Sequence, residues 1–412
     1  MEILYACCCG LDVHAKTVVA CLIKSGKKQI RTFSTMTDDL LSLLDWLTSE
    51  ACTHVAIEST GVYWKPVFNI LEGSLEVILV NARHIKAVPG RKTDVKDCEW
   101  IADLLKHGLL KASFIPPSHI RELRELTRYR HSLIKEQASV ANRIQKMAES
   151  GNIKLSQVAS DALGKSGRMM LRALAAGETD AQKMSEMART RLRRKKVELE
   201  RALKGRLSRA QRWVIAELLE RYEELESAIK KVEAEIGKEI KTNADPFVEE
   251  AIKLLDTIPG VGEPVARVIV SEMGVNMKQW PTDKHLASWA GMCPGNNESA
   301  GKQKSGKTRK GNQYLRTALV QAAWAASRAK GSYLSAKYQR LVKRMGKTKA
   351  LVAVGHTILV MTYHILSNKQ SYQELGGDYF ERKNLKVQRE RLIHKLESLG
   401  LKVTVEEVEQ AA

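Results

Sequence analysis

The stretch YACCCGLDVHAKTVVACL, residues 5–22, predicts the beginning of a buried β-sheet. It holds two apolar runs, and this pattern is typical of one strand that leads into a second. The first apolar run stops at Gly10, and Asp12 follows close behind it. A charged side chain in a buried strand is costly unless it is paired or binds a metal ion. Asp12 is therefore a candidate functional residue.

The next segments alternate between strand and helix patterns up to residue 80. We predict a strand at 28–36, a helix at 38–50, a strand at 53–59, a helix at 61–72 and a strand at 76–80. Such alternation is typical of an α/β sheet. Glu58 stands at the C-terminal end of one predicted strand. Asp94 and Asp97 follow on the next predicted helix, where a spacing of three residues puts both carboxylates on one side.

These four carboxylates each have an ordinary interpretation. Asp94 suits a helix cap, Asp97 a solvated helix position and Glu58 a charged strand end. Together with Asp12, however, they match a ribonuclease-H-like sheet, in which strand and helix carboxylates converge on two Mg²⁺ ions. Hard cations prefer oxygen ligands, and paired ions stabilise both the attacking and the leaving oxygen of phosphoryl transfer. We therefore predict a Mg²⁺ site, with Mn²⁺ as an alternative metal.

Residues 116–242 are predicted to be helical and heavily charged. Apolar residues recur there at alternating spacings of three and four, at Ile215, Leu218, Tyr222, Leu225, Ile229, Val232 and Ile236. This heptad pattern predicts a coiled coil, either within the chain or between protomers. The run ARTRLRRKK, residues 188–196, is either a solvated helix face or a contact for nucleic acid.

A helical hairpin is predicted from LLDTIPGVGEPVARVIVSEMG, residues 254–274, with Gly260 and Gly262 in its turn. The pattern is that of a helix-hairpin-helix, whose exposed backbone amides bind a nucleic-acid backbone without reading its sequence. A plain pair of antiparallel helices is the alternative.

The stretch GNNESAGKQKSGKTRKGNQYLR, residues 295–316, is rich in Gly, Asn and Ser, so we expect loop for most of its length. An apolar helix follows, from about residue 312 to 329. Two hydroxyls, Ser299 and Ser305, lie among basic residues, and these residues are Lys302, Lys304, Lys307, Arg309, Lys310 and Arg316. Cations and backbone amides beside a helix start favour phosphate binding. A solvated basic loop is the alternative.

The composition indicates a nucleic-acid partner. The chain has 412 residues, with 67 Lys and Arg against 47 Asp and Glu, and a formal net charge of +20. Basic proteins gain affinity for nucleic acid because phosphate neutralisation releases counterions. No apolar run approaches the ~20 residues of a membrane-spanning helix, so we expect no membrane partner. The first residues show no signal peptide, and the seven cysteines show no pairing logic, so we expect a reducing cytoplasm.

Several short motifs resemble one family of recombinases. Asp12 in LDVHAK, Glu58 in AIESTG, and Asp94 with Asp97 in KTDVKDCEWIADLL resemble the acid tetrad of DEDD-type insertion-sequence transposases. The later blocks IPGVG, HLASWAGMCPGNNESAGK and RKGNQYLR are similar to the second domain of the same group, the insertion-sequence one-ten family. These recombinases are guided by a structured bridge RNA that the element encodes. The blocks occur in the family's order.

The resemblance implies a fold, an activity and a set of partners. It implies a RuvC-like (RNase H-like) DEDD nuclease domain at 1–115, a helical coiled-coil linker at 116–244, a mainly helical serine transposase domain at 245–375 and a charged tail at 376–412. The position of the nucleophilic serine falls on Ser299, where Ala300 replaces the family's more usual glycine. The tetrad would hold Mg²⁺, and the two halves of the active site come from different protomers of a dimer or tetramer.

We therefore predict a DNA transposase that cuts and rejoins a mobile element through a transient covalent link to Ser299, in the bacterial cytoplasm and near the nucleoid. Two other functions stay open. A RuvC-like metal-dependent junction nuclease would use only the four acids and would release free DNA ends. A scaffold for nucleic acid without catalytic activity would need only the helical hairpin and the basic helices.

Overall fold

The computed structural model describes residues 2–59, 61–81, 94–295, 297–299, 302–400 and 402–404. The chain divides into two compact units, Met1–Ile115 and Pro116–Ala412. The first unit is mixed α/β and the second is mainly helical. The predicted combination of an N-terminal α/β sheet with a helical remainder is thereby confirmed. The finer domain boundaries stay predictions.

The described part of the first unit holds a five-stranded sheet and three helices. The strands are β1 (Cys7–Val13), β2 (Thr17–Lys24), β3 (Lys27–Ser34), β4 (His54–Glu58) and β5 (Glu76–Val80), and the helices are α1 (Thr37–Ser49), α2 (Trp64–Leu71) and α3 (Asp94–Lys106). The strand order is β3-β2-β1-β4-β5. Strand β2 is antiparallel to β1 and β3, whereas β4 is parallel to β1 and β5.

The sheet buries apolar side chains on both faces. One face, with Leu11 and Ile57, packs against α1 and α2. The other face, with Cys8 and Ala56, packs against α3 through residues such as Ile101. The cysteines of β1 and β2 act here as small apolar residues, and burial holds the pKa of the Cys9 thiol well above its usual range. Burial on both faces explains why consecutive residues of β1, such as Cys8 and Cys9, are apolar.

The second unit is organised around two long helices, α4 (Ser118–Ser150) and α9 (Arg209–Lys241). Between them lie α5 (Leu155–Val158), α6 (Lys165–Ala176), α7 (Ala181–Ser185), a 3-10 helix (Thr190–Lys195) and α8 (Lys196–Leu203). Helices α4 and α9 run antiparallel, because Arg130 bonds Glu233 near one end and Gln211 bonds Ser150 at the other. The predicted heptad seam packs into the core that these helices share, and Leu225 is only 2% exposed. Of the two alternatives for the heptads, the structure shows packing within the chain.

The run at residues 188–196 is not a regular α-helix face. It forms the end of a loop, the 3-10 helix and the first residue of α8, and most of its basic side chains are exposed.

The remaining helices of the second unit follow residue 246. They are α10 (Phe247–Asp256), α11 (Glu263–Met273), α12 (Asp283–Trp289), α13 (Gln313–Ala326), α14 (Tyr333–Met345), α15 (Lys347–Asn368) and α16 (Tyr379–Ser398), with a second 3-10 helix at Met277–Gln279. The segment between α12 and α13 contains two short strands, β6 (Asn297–Ser299) and β7 (Lys302–Ser305).

Helix α15 corrects one expectation. We expected no apolar run near the length of a membrane-spanning helix, but α15 has 22 residues and is long and apolar enough to cross a membrane by length and composition. His356 and other polar residues interrupt the apolar residues of this helix, so the sequence contains no continuous apolar run of that length. In the structure α15 packs on α13, where a Cβ at Gly355 would lie 3.2 Å from the carbonyl oxygen of Leu319. Buried residues such as Val354 and Ile358 make α15 a core helix of this unit.

Candidate active-site elements

Asp12 and Glu58 lie side by side on one face of the sheet. In the parallel pairing of β1 with β4, Leu11 is opposite Ile57, and Asp12 and Glu58 are the next residues of their strands. Side chains alternate between the two faces of a sheet. Leu11 and Ile57 point to the face of α1 and α2, so Asp12 and Glu58 lie on the opposite face, the one that α3 covers. Ala56, two residues before Glu58, packs on that face.

Gly10 allows α3 to cross β1 at close range. A Cβ at this position would lie 2.4 Å from the backbone nitrogen of Ala102 and 2.4 Å from the carbonyl oxygen of Cys98. Real Cβ atoms do not approach backbone atoms so closely, so glycine is required here. The strand does not stop at Gly10, as the apolar run suggested, but continues to Val13. The glycine marks the contact between strand and helix.

The first turn of α3 carries the other two acids. Asp97 is half-buried and lies one helical turn before Ile101, which packs on the sheet. Its position therefore extends the sheet-facing side of α3 toward its N-terminus. Asp94 is the first residue of α3, but its side chain lies outside the described residues. Asp103, further along the helix, is 3.9 Å from the ring of His107 and half-exposed.

His14 is a neighbour of the acids that the sequence analysis missed. The Nε2 atom of His14 lies 3.2 Å from Oδ2 of Asp12, whose residue is only 5% exposed. The spacing of two residues across the end of a strand was the available signal, because it puts both side chains on one face. Among the side chains that the structure describes, no group of three or more His, Cys, Asp or Glu residues is arranged to hold a metal ion.

Ser299 lies at the tip of a β-hairpin. Strands β6 and β7 are antiparallel, and Ser299, the last residue of β6, pairs with Lys302, the first residue of β7. The stretch that we expected to be mostly loop therefore contains a short two-stranded sheet, with Ala300-Gly301 between its strands in the sequence. Those two residues lie outside the described part of the chain, as do the side chains of Ser299, Lys302 and Lys304.

The base of this hairpin is tightly held. The Gly295 N–H donates to the carbonyl oxygen of Lys307 at 2.9 Å. Further down, a Cβ at Gly311 would lie 2.4 Å from the carbonyl oxygen of Ala290, so the two ends of the segment are in backbone contact. Asn312 then begins α13, because its side-chain oxygen accepts the N–H of Leu315.

The predicted phosphate-binding cations have different environments. Lys307, Arg309 and Lys310 are exposed on the segment that follows β7. Arg316 lies in the first turn of α13 and is half-buried. Exposed cations that follow a serine at a hairpin tip can attract a phosphate group.

The two glycines of the helical hairpin differ. Gly260 has a φ of +87°, and a Cβ there would lie 2.4 Å from the carbonyl oxygen of Ala322, so the turn packs against α13. The close packing of this turn on α13 therefore explains the glycine at position 260 without any contact to nucleic acid. Gly262 is exposed and begins α11. The predicted contact of both residues with nucleic acid stays a prediction.

A buried ion-pair network joins α4, α11 and the start of α13. The carboxylate of Glu272 is fully buried and accepts two hydrogen bonds of 2.7 Å from Arg128. The same carboxylate also accepts a hydrogen bond of 2.6 Å from the side-chain amide of Asn312. The Nε atom of Arg124 lies 3.4 Å from its Oε2 atom. Burial lowers the pKa of Arg124 to about 10. The sequence analysis missed Glu272, although an acid in the apolar run VARVIVSEM carried the same signal as Asp12.

Comparison with known proteins relates both units to one family. A family model described as a transposase, for the DEDD-type IS110 domain, matches residues 9–151, which include all four acids. A second, described as the transposase IS116/IS110/IS902 family, matches residues 252–339, which include Ser299.

A curated relative is also described as a transposase. The chain is 25% identical over 164 residues to a probable family 20 transposase of Pseudomonas aeruginosa (strain PAO1). The match covers 39% of this chain and 46% of the relative, so the chain spans less than half the length of that protein. The two family models together match more than half of the chain, in the order that the sequence motifs predicted. The chain belongs to the IS110 family of transposases.

Proposed function

We propose that this protein cuts and rejoins the DNA of a mobile insertion element, with Asp12, Glu58, Asp94 and Asp97 as metal ligands and Ser299 as nucleophile. One observation carries the proposal. Asp12 and Glu58 occupy neighbouring positions on the sheet face beneath α3, and α3 begins with the other two acids.

We also propose that the first unit has an RNase H-like (RuvC-like) fold. The strand order β3-β2-β1-β4-β5 supports this assignment, because β1 is central and carries Asp12, and β4 beside it carries Glu58. The antiparallel β1-β2-β3 meander followed by parallel β4 and β5 is consistent with it.

The residues present suit a divalent cation. Carboxylate oxygens are the ligands that Mg²⁺ and Mn²⁺ prefer. A carboxylate as buried as Asp12 needs a neutralising neighbour, and His14 at 3.2 Å is one when protonated. Bound metal would stabilise the charge on the attacking and leaving oxygens of a phosphodiester. Asp12 and Glu58 would orient that metal from the sheet, and Asp94 and Asp97 would do so from α3.

The serine supplies the covalent step. The Oγ atom of Ser299 attacks a DNA phosphorus, a new Oγ–P bond forms, and the P–O bond to one deoxyribose breaks. The serine hydroxyl loses its proton in this step, and the departing sugar oxygen gains one. Attack by that or another sugar hydroxyl then reverses the exchange, so the bond energy is conserved for rejoining. Lys302, Lys304, Lys307, Arg309 and Lys310 would hold the phosphate.

The partners that we propose are DNA, a structured guide RNA and further copies of the chain as a dimer or tetramer. The net charge of +20 supports nucleic-acid binding. We place the protein in the bacterial cytoplasm, near the nucleoid. The alternative is a RuvC-like junction nuclease that uses the four acids and leaves free DNA ends.

The nucleophile is tested with end-labelled DNA on a denaturing gel. The unmodified protein should give a slow, protease-sensitive band, which Ser299→Ala should abolish. Ser305→Ala is the matched control, because Ser305 lies on the opposite strand of the same hairpin, and it should keep the band. Cleavage with free ends in both variants would support the junction nuclease and would exclude the serine mechanism.

The metal ligands are tested separately. Asp12→Asn and Asp97→Asn should abolish recombination in Mg²⁺ and should weaken Mn²⁺ binding measured by calorimetry. Asp103→Asn, on the same helix as Asp97, should change neither. Full activity of Asp12→Asn in Mg²⁺ would contradict the assignment of the acids.

A further inference from the structure

A cavity of about 580 Å³ lies in the second unit, remote in sequence from the acids and from the serine hairpin. It is open to solvent and is bordered by α14, α15, the first residue of α12 (Asp283) and the chain segment 369–375 that follows α15. This volume is within the range of small-molecule binding sites, which combine apolar walls with a few polar groups. Its lining includes none of the residues assigned to DNA cleavage above.

Lys337 of α14 faces this cavity. Its ammonium group donates to the hydroxyl of Tyr333 at 3.4 Å, and within the described residues it forms no ion pair with a carboxylate. Lys337 is half-buried, and burial lowers its pKa. A half-buried cation that forms no ion pair destabilises the folded chain, and binding of an anion beside it offsets this cost.

His356 of α15 lines the same cavity. Burial lowers its pKa, the charge of Lys337 lowers it further, and Asp283 at the start of α12 acts in the opposite direction. His356 and Lys337 border the same cavity. A bound anion would allow both groups to carry or share a proton. Asp283 also lines the cavity, and the other polar residues of the lining include Thr357, His364, Asn368, Gln370, Ser371 and Gln373.

The opposite side of the cavity is apolar. It is lined by Val360, Met361, Ile365, Tyr372 and Leu375. Phosphate alone would fill only a small part of 580 Å³ and would leave this wall in contact with water. A ligand with a phosphate group and a flat ring system matches both sides, because bases pack on apolar and aromatic side chains.

We propose that this cavity binds a phosphorylated nucleotide, with its phosphate at Lys337 and His356 and its base against the apolar wall. Two sources share this chemistry, a free nucleoside monophosphate and the terminal nucleotide of a phosphorylated nucleic-acid strand.

The free nucleotide is tested by calorimetric titration of the full chain with adenosine 5′-monophosphate, with adenosine and inorganic phosphate as comparison ligands. The monophosphate should bind more tightly than either. Lys337→Met should weaken its binding by about tenfold or more, since a hydrogen bond to a charged group contributes about 1.5–3 kcal/mol. His356→Gln should weaken binding less. Lys343→Met, an exposed lysine of the same helix, should leave it unchanged.

The strand end is tested with a short oligonucleotide that carries either a 5′-phosphate or a 5′-hydroxyl. If a strand end is the ligand, the chain prefers the phosphorylated form, and Lys337→Met removes the preference. The unfolding temperature of Lys337→Met should be equal to or above that of the unmodified chain, which separates lost binding from lost folding. The proposal is overturned if neither ligand binds in a way that depends on its phosphate and on Lys337.

Discussion

Arg128 on α4 and Glu272 on α11 form a bidentate ion pair. Both of its hydrogen bonds measure 2.7 Å, and the carboxylate is fully buried. Asn312 joins the same carboxylate and also begins α13, directly after the segment that carries Ser299. The pair therefore links a long helix of the unit to the base of the serine hairpin. The guanidinium of Arg128 also stacks on the ring of Tyr314, 4.6 Å from its centre.

Removing Glu272 should strongly destabilise the second unit. In Glu272→Ala, Arg124 and Arg128 lose their shared buried partner, and breaking a buried ion pair costs about 3–5 kcal/mol of unfolding free energy. Denaturant unfolding measures this change. Glu263→Ala is the matched control on the same helix, because the Glu263 side chain is exposed and its ion pair with Arg267 should contribute less than about 1 kcal/mol. Equal losses in the two variants would contradict the role of the buried network.

Gly10→Ala should separate α3 from the sheet. The new methyl group would meet backbone atoms at 2.4 Å, so α3 must move, at a cost of about 1–3 kcal/mol. Recombination should fall further than stability alone explains, since α3 carries Asp94 and Asp97. A recombination assay beside thermal unfolding separates the two effects. Gly237→Ala, at an open helical position, should instead stabilise the chain by about 0.5–1 kcal/mol.

Leu225→Ala should destabilise the helical part of the second unit without changing the number of protomers. Leu225 is buried in the core between α4 and α9, and deletion of such a side chain costs about 2–5 kcal/mol. Circular dichroism during unfolding and light scattering measure the two quantities. Glu220→Ala, exposed on the same helix, should change stability by less than about 0.5 kcal/mol. Dissociation into smaller species at unchanged stability would show that the seam also joins protomers.

Nucleic-acid binding should depend strongly on salt. If six or more phosphates are neutralised, the affinity should fall by about a thousandfold between ~50 and ~200 mM salt. Fluorescence anisotropy with labelled DNA and with a structured RNA measures this dependence. An affinity that does not change with salt would contradict the interpretation of the net charge.

Local patterns predicted the elements well. The alternation of apolar runs and amphipathic segments up to residue 80 predicted the strands of the sheet and the first two helices that pack on it. Strand and helix periodicities depend only on residues that are close in the sequence. The heptads predicted a helix with an apolar seam, but they left open which helix covers it. The structure answers this for the described chain, since α9 packs on α4.

Composition, periodicity and short motifs were enough to predict the mixed α/β unit, the helical remainder, the basic charge, the four acids and, about 200 residues later, the serine motif. Three relationships emerged from the folded chain alone. Asp12 and Glu58 share one sheet face, Gly10 allows α3 to cross that face, and Ser299 ends a strand rather than lying in a loop. In the folded chain, Glu272 also pairs with Arg128, and Lys337 lines a cavity. These relationships depend on strand register and on contacts between residues far apart in the chain, which periodicity and composition do not encode.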